Sequence, residues 1–462
     1  MRYISTRGEA PVSGFEDVLL GGPASDQGLY VPESWPQLTP ERLSALSGAS
    51  YADIAEAVMT PFIGGAIPRT DFRAMIEQAY AGFGHPAVTP LKQLDANLWL
   101  LELFHGPTLA FKDIAMQLLA PMMDWALTRR GERVTIVGAT SGDTGGAAVE
   151  AFRDSRRIAL FMLHPHQRVS AVQRRQMTTQ GAANIHNIAI EGTFDDAQAL
   201  VKAMFADRQF SDKMRLVGVN SINWARIMAQ VVYYVAAALA LGAPWRAVSF
   251  AVPTGNFGDI FAGYVALRMG LPIDRLVIAT NVNDILDRAL RSGTYELRPV
   301  QMSTSPSMDI QVSSNFERLL FETLERDSAA LRRLMQDLAG PRRGFVIPEP
   351  ALARMRAKFG SGSCSEAETA REIARVLEQT SELIDPHSAV GCHVGRLHML
   401  RDSPMIVLAT AHPAKFPDAV EAASGIRPEL PRRLGDLMAK TERFDILPND
   451  LGVVENHVVQ RA

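Results

Sequence analysis

From Val134 onward, short runs of β-branched and aliphatic residues alternate with helical stretches, and this rhythm constrains the fold of the chain more than any other feature. The runs are Val134 to Val137, Ile158 to Leu163, Ile185 to Ile190, Val248 to Val252, Leu276 to Thr280 and Met405 to Ala409. Six strands separated by helices predict an α/β core, a parallel sheet covered by helices. The chain is long enough for about three structural units, and 47% hydrophobic residues provide a sizeable buried core.

The first ~90 residues read differently. Short polar helical patterns, Pro40 to Leu46 and Tyr51 to Met59, alternate with turn-rich pieces such as Gly21, Gly22 and Pro23, and no cofactor signature is present. We therefore expect a separate N-terminal domain over 1–90, an α/β region over 91–430 and a C-terminal tail over 431–462. Between Arg298 and Leu383 the alternation lapses into charged helical sequence, such as Phe316 to Leu324 and Glu366 to Leu377. That stretch predicts a helical insertion at about 298–383, with Gly360 to Ser365, GSGSCS, as its most flexible loop. No repeat of fixed period and no lasting heptad is visible.

Charge and cysteine content narrow the function. Lys and Arg total 47 against 50 for Asp and Glu, a net charge of −3, so nucleic acid is not an expected partner. Cys364 and Cys392 are too few for a disulfide framework or a four-cysteine zinc site, and no metal is expected. A reducing cytoplasm fits, and MRYISTRGEAPVSG lacks the apolar stretch of an export signal. Ile227 to Trp245 carries no charge for 19 residues. With Gln230, Gly242, Pro244 and two tyrosines it predicts a buried helix rather than a membrane span.

Four segments carry chemistry. In HGPTLAFKD, His105 to Asp113, Lys112 opens an apolar helical run, Ile114 to Met123. An ammonium at a helix N-terminus meets the unfavourable end of the dipole, which makes the neutral, nucleophilic amine easier to reach. A solvated surface lysine is the competing reading. In GATSGDTGGAA, Gly138 to Ala148, a strand leads into a helix through Ser141, Gly142, Asp143 and Thr144, whose amides and hydroxyls suit a carboxylate or phosphate. A tight turn with no ligand fits equally well. In PTGNFGD, Pro253 to Asp259, the loop Gly255, Asn256, Phe257 and Gly258 predicts amides aimed at a small phosphate, and no Gly-Lys-Ser/Thr is present. In LATAHPAKF, Leu408 to Phe416, Thr410 stands at a strand's carboxyl end, where ligands of open α/β sheets gather. His412 and Lys415 read as a loop histidine and a solvated lysine.

A nucleophilic lysine, anion-binding turns and a hydroxyl for a neutral ring nitrogen call for a cofactor with an aldehyde, a phosphate and a heterocycle. Pyridoxal 5′-phosphate has all three. Lys112 would hold the aldehyde, Gly255 to Gly258 the phosphate, and Thr410 would face the ring nitrogen.

HGPTLAFKD, ATSGDTG, PTGNFGD and TAHPAKF, in that order, resemble the threonine synthase family in its fungal and proteobacterial form. MRYISTRG and the DVLLGG and GLYVPE stretches extend the resemblance to essentially the whole chain. It implies a fold type II pyridoxal-phosphate enzyme, similar to the tryptophan synthase β subunit, with open sheets covered by helices, an extra N-terminal domain and a helical insertion. It further implies conversion of O-phospho-L-homoserine and water to L-threonine and phosphate. Lys112, Gly255 to Gly258 and Thr410 match the family's cofactor-binding residues, and Ser141 to Thr144 match the loop for the substrate carboxylate. Asp143 stands where many relatives of the wider fold carry Asn. A carboxylate facing the cofactor's phenolic oxygen would repel it, so Asp143 is expected to orient neighbouring amides rather than to bind directly. In NSINWARI, Asn220 to Ile227, Asn223 and Arg226 share a helix face and are assigned to the substrate phosphate. A capping or ion-pairing arginine is the alternative for Arg226. Two other functions remain open: a phospho-lyase on the same scaffold yielding 2-oxobutyrate, and a non-catalytic cofactor- or phosphate-binding paralogue. The oligomeric state is open between monomer and homodimer.

Overall fold

The computed structural model describes residues 1–219 and 221–462. All six strands expected from the sequence are present, divided between two sheets. The larger sheet has six strands in the order Phe359–Ser363, Ile273–Thr280, Val248–Pro253, Met405–Ala409, Leu98–Glu102 and Leu91–Asp95. Every neighbouring pair is parallel except the hairpin of Leu91–Asp95 with Leu98–Glu102. The smaller sheet is parallel throughout, in the order Asp445–Pro448, Ile185–Glu191, Ile158–Pro165, Val134–Ala139 and Leu216–Val217.

Three expectations need correction. GSGSCS is no flexible loop: Phe359–Ser363 is an edge strand running parallel to Ile273–Thr280. Its glycines admit close neighbours, since a Cβ on Gly362 would lie 2.9 Å from Val394 and one on Gly360 2.9 Å from His398. The stretch 298–383 is therefore not purely helical; it supplies this strand to the core and also Gly344–Val346, which pairs with Thr294–Glu296. The segment 431–462 likewise adds Asp445–Pro448 to the smaller sheet and ends in the helix Leu451–Arg461.

The uncharged stretch forms the helix Trp224–Ala240, buried along nearly its whole length. No helix among the described residues is long and apolar enough to cross a membrane. This helix is the axle of the largest core. The helix Tyr51–Ile63 packs on it, and the Trp224 ring meets those of Phe62 and Tyr3 at 5.6 and 5.9 Å. Such aromatic pairs add about 0.5–1.5 kcal/mol each beyond the area they bury. The first 80 or so residues thus share one core with the α/β region.

The carboxyl ends of Leu98–Glu102, Val134–Ala139, Val248–Pro253 and Met405–Ala409 lead directly into the four motifs. Parallel strands align those ends, so the topology gathers segments far apart in the chain.

Candidate functional site

Lys112 is the first residue of the helix Lys112–Arg130. The turn before it is held from two sides. Phe111 N donates to Thr410 O at 2.9 Å and His412 N to Leu109 O at 3.0 Å, so Ala110 and Ala411 form an antiparallel bridge. That bridge places Thr410 beside the lysine's turn. Asp113, fully buried, accepts from Thr108 N at 2.8 Å and Thr108 Oγ1 at 2.6 Å, and burial pushes its carboxyl up to about 6.

The surface-lysine reading of Lys112 does not hold: the side chain is buried, with Nζ 3.2 Å from Asp143 Oδ2. Burial lowers its ammonium below the usual lysine range; Asp143 pulls the other way, and Lys415 and Arg226 add repulsion.

Asp143, expected to orient neighbouring amides, joins several side chains of this site through its carboxylate. Oδ1 is 2.9 Å from Lys415 Nζ and accepts from Gln173 Nε2 at 2.9 Å, while Oδ2 also accepts from Ser307 Oγ at 3.3 Å. Burial raises the pKa of such a group, but Lys415, Lys112 and His387 outweigh it and hold Asp143 well below the ordinary carboxylate range. Lys415, expected to be solvated, is fully buried and also donates to Thr108 O at 2.7 Å and Gln176 Oε1 at 3.1 Å. His412 caps the short turn Pro413–Lys415 by accepting from Ala414 N, and burial lowers its imidazole to about 4.

The anion-ready turns are built as the sequence suggests. Thr140 Oγ1 accepts from Gly142 N at 3.0 Å and Gly145 N at 2.9 Å, which bends the chain so that the amides of Ser141, Asp143 and Thr144 find no acceptor among the described residues. Gly142 has φ 143, and a Cβ there would lie 2.5 Å from the Gln173 carboxamide. In the second loop the amides of Gly255, Asn256, Phe257 and Gly258 also lack an acceptor among the described residues, and the loop is fixed through its carbonyls instead. Ser313 Oγ donates to Gly255 O at 2.6 Å, and Asn315 N and Nδ2 both donate to Asn256 O at 3.0 Å. Gly255 is pressed against the neighbouring segment, since its Cβ would lie 2.9 Å from Ser307 O.

Asn223 and Arg226 part company. Asn223 caps the helix Trp224–Ala240: Oδ1 accepts from Ala225 N at 2.9 Å, and Nδ2 donates to Leu19 O and Gly21 O at 3.0 and 3.2 Å. Both protons of its side-chain amide are thus taken by carbonyls. Arg226 is buried, donates from Nη1 to Val219 O at 3.0 Å, has no partner for Nε, and pairs with no carboxylate among the described residues. Burial pushes its guanidinium down to about 10. Its charge is thus left without an anionic partner among the described residues. Asn220, the start of the NSINWARI motif, lies outside the described residues.

These features fit pyridoxal phosphate: a buried, loosely held amine, two turns of unpaired amides on loops that a Cβ would fill, a hydroxyl at a strand end and a spare buried guanidinium. Family models match the chain throughout: threonine synthase N terminus over residues 2–80, pyridoxal-phosphate dependent enzyme over 83–404, and threonine synthase, C-terminal over 388–458. The chain is 53% identical to the threonine synthase of Pseudomonas aeruginosa, covering 100% of this chain and 99% of that one.

The chain belongs to the threonine synthase family.

It is a pyridoxal-phosphate-dependent lyase with threonine synthase activity, of the expected α/β fold type II class. The pyridoxal-phosphate-bound threonine synthase of Brucella melitensis superposes with a TM-score of 0.98 at 61% identity, covering 100% of this chain and 99% of that one. The yeast threonine synthase gives 0.95 at 37%, covering 100% and 98%.

Several groups at this threonine synthase site went unnoticed in the sequence. His387 Nδ1 lies 2.7 Å from buried Asp385, and Nε2 accepts from Ser307 N at 3.3 Å, so the histidine fixes the segment that touches both Asp143 and Gly255. Arg433, in the C-terminal segment, donates to His105 O and Gly106 O at 2.9 and 2.7 Å and braces the lysine's turn. No local pattern marks such residues; only Lys415 lay inside a motif already singled out.

Proposed function

We propose that Lys112 is the residue that engages the cofactor's aldehyde and then, as a free amine, moves protons at the substrate's Cα and neighbouring carbons. The observation that carries this reading is a buried amine of lowered basicity, held by one carboxylate oxygen at a helix start where strand-end loops meet. Bound pyridoxal phosphate supplies an electron sink for negative charge developing at Cα. The amides of Gly255 to Gly258 hold the cofactor phosphate against the positive end of the helix Gly258–Arg268, and the Thr410 hydroxyl faces the ring nitrogen. A hydroxyl there leaves the nitrogen largely unprotonated, which moderates the sink and limits side reactions.

Ser141, Gly142 and Thr144 receive the substrate carboxylate through their loop, and Arg226 grips the substrate phosphate, with Asn223 holding the helix start that presents it. The substrate is O-phospho-L-homoserine; loss of phosphate from Cγ and addition of water at Cβ give L-threonine. Residues 91–430 carry the reacting groups, while 1–90 and 431–462 brace them through Leu19, Gly21 and Arg433. Both cysteines are free and buried, which supports a cytoplasmic setting.

Incubation of the purified holoenzyme with O-phosphohomoserine, with threonine, 2-oxobutyrate and phosphate quantified together, tests the assignment. Threonine and phosphate should form in equal amounts. Phosphate accompanied by 2-oxobutyrate alone would make the protein a phospho-lyase.

A further inference from the structure

Two lysines share one carboxylate at this site, and their surroundings differ. Lys415 Nζ has three acceptors, Thr108 O at 2.7 Å, Asp143 Oδ1 at 2.9 Å and Gln176 Oε1 at 3.1 Å, one for each ammonium proton. It is fully buried. Among the described residues Lys112 Nζ has one hydrogen-bonding partner, Asp143 Oδ2 at 3.2 Å, and it stands 4.9 Å from the centre of the Phe111 ring. The first lysine is thus a fixed cation with no reason to leave, and the second is loosely held and available to react.

We propose that Lys415 is the resident counter-ion of Asp143, a positioning residue that keeps the buried carboxylate neutralised once the Lys112 nitrogen is taken up by the cofactor. This rests on the reading that Lys112 is the residue that engages the aldehyde. With Lys112 free, Asp143 faces two ammonium groups. When that nitrogen is engaged it is no longer a free ammonium, and a buried carboxylate with no cation would be strongly unfavourable. Lys415 removes that penalty, because it pairs with the same carboxylate, at Oδ1, from a position outside the reaction. It also explains how a carboxylate can stand beside a cofactor oxygen that would otherwise repel it: the Asp143–Lys415 pair is together neutral, as an amide would be. The remaining partners of Asp143, Gln173 Nε2 and Ser307 Oγ, are neutral donors and cannot offset its charge.

The arrangement makes an asymmetric prediction. Lys415→Met leaves Asp143 paired with Lys112 in the cofactor-free protein but unpaired when cofactor is bound. Its cofactor affinity should therefore fall about 100-fold or more, a loss additional to the stability the cofactor-free protein gives up when Thr108 O and Gln176 Oε1 lose their donor. Asp143→Asn combined with Lys415→Met removes both charges, and affinity should return to within about 10-fold of the native value, by the same reasoning about paired and unpaired charge. A purely structural lysine predicts the reverse, with the double variant no better than Lys415→Met.

Pyridoxal phosphate titration followed by visible absorbance, with melting of the cofactor-free proteins, reads both effects. Recovery in the double variant supports the assignment, and a double variant as weak as the single overturns it. The native protein gives an independent measurement should a variant fail to fold. Limited amine acylation of the cofactor-free form, mapped by peptide mass spectrometry, should modify Lys112 and spare Lys415; equal modification of the two overturns the proposal. Borohydride trapping of the native holoenzyme separates this inference from the reading beneath it. An adduct on Lys415 overturns both. An adduct on Lys112 without recovery in the double variant overturns the counter-ion role alone.

Discussion

At the scale of single residues, the site is a small set of buried charges whose pairing decides the chemistry. Lys112 is the group whose loss no neighbour can make good, because Lys415 is tied to three acceptors. Lys112→Ala should keep its far-ultraviolet circular dichroism and lose turnover by orders of magnitude; a variant with near-native turnover would exclude the role. Arg226 differs in kind, as a buried guanidinium whose charge no carboxylate among the described residues offsets. A charge-assisted hydrogen bond contributes about 1.5–3 kcal/mol, so Arg226→Ala should weaken O-phosphohomoserine binding by about 10- to 100-fold. An analogue lacking the phosphate should be affected far less, and equal losses for the two would reject the assignment.

Individual elements are positioned by close approach and by polar clamps between them. The helix Pro386–Leu397, which carries His387 at its start, lies on the strands Val248–Pro253 and Met405–Ala409. A Cβ on its Gly391 would fall 2.8 Å from Val407 and 3.1 Å from Pro253. Gly391→Val should therefore overpack this contact and cost about 1–3 kcal/mol, read as a lower denaturant midpoint at unchanged slope. The helices Trp224–Ala240 and Gly258–Arg268 are clamped by Tyr233 and Tyr234, whose hydroxyls donate to Asp259 Oδ1 at 2.5 and 2.9 Å. Burial pushes the Asp259 carboxyl up to about 6 from an ordinary 3.8, against the pull of both tyrosines. The folded state thus prefers the protonated acid. This group supports folding fully below about pH 4, and that support disappears as the pH rises through about 6. Its contribution changes by roughly 3 kcal/mol across that window. Asp259→Asn should abolish this dependence, so the stability difference between native and variant proteins should shift by that amount between pH 4 and pH 7. A constant difference would show that Asp259 does not titrate in this range.

For the whole molecule, the proposed site draws on both sheets, the proposed substrate loop Ser141 to Thr144 following a strand of the smaller and the proposed cofactor residues Gly255 to Gly258 and Thr410 following strands of the larger. Cofactor residues so far apart in the chain come together only in the assembled fold. Pyridoxal phosphate at 100 times its dissociation constant should stabilise the protein by about 2.7 kcal/mol, seen as a rise in melting temperature that grows with cofactor concentration. A melting temperature indifferent to cofactor would contradict a cofactor site assembled from these distant segments. The terminal segments enter the same picture, since Leu19, Gly21 and Arg433 hold the site from outside the α/β region.

Sequence alone determined what depends on neighbours in the chain. Periodicity of apolar residues gave the six strands and the buried helix. Glycine and hydroxyl residues at strand ends gave the turns, and Lys112 stood out because it opens a helix. LKQLD and FGSGS, Leu91–Asp95 and Phe359–Ser363, are too polar or too glycine-rich to signal a strand locally, and LWLLE, Leu98–Glu102, is a short apolar run that suits helix or strand alike; pairing with distant strands is what makes Leu98–Glu102 and Phe359–Ser363 sheet. Tertiary structure alone decided the charges. Nothing near Lys415 in the chain says that it is buried, and nothing near Asp143 says that two ammonium groups will meet it. Asn223 and Arg226 look alike as phosphate ligands by spacing, yet the fold spends one on carbonyls of the N-terminal segment and leaves the other unpaired. The reason is physical: conformational preference acts over a few residues, whereas burial and charge pairing are set by whichever groups the folded chain brings within a few ångströms.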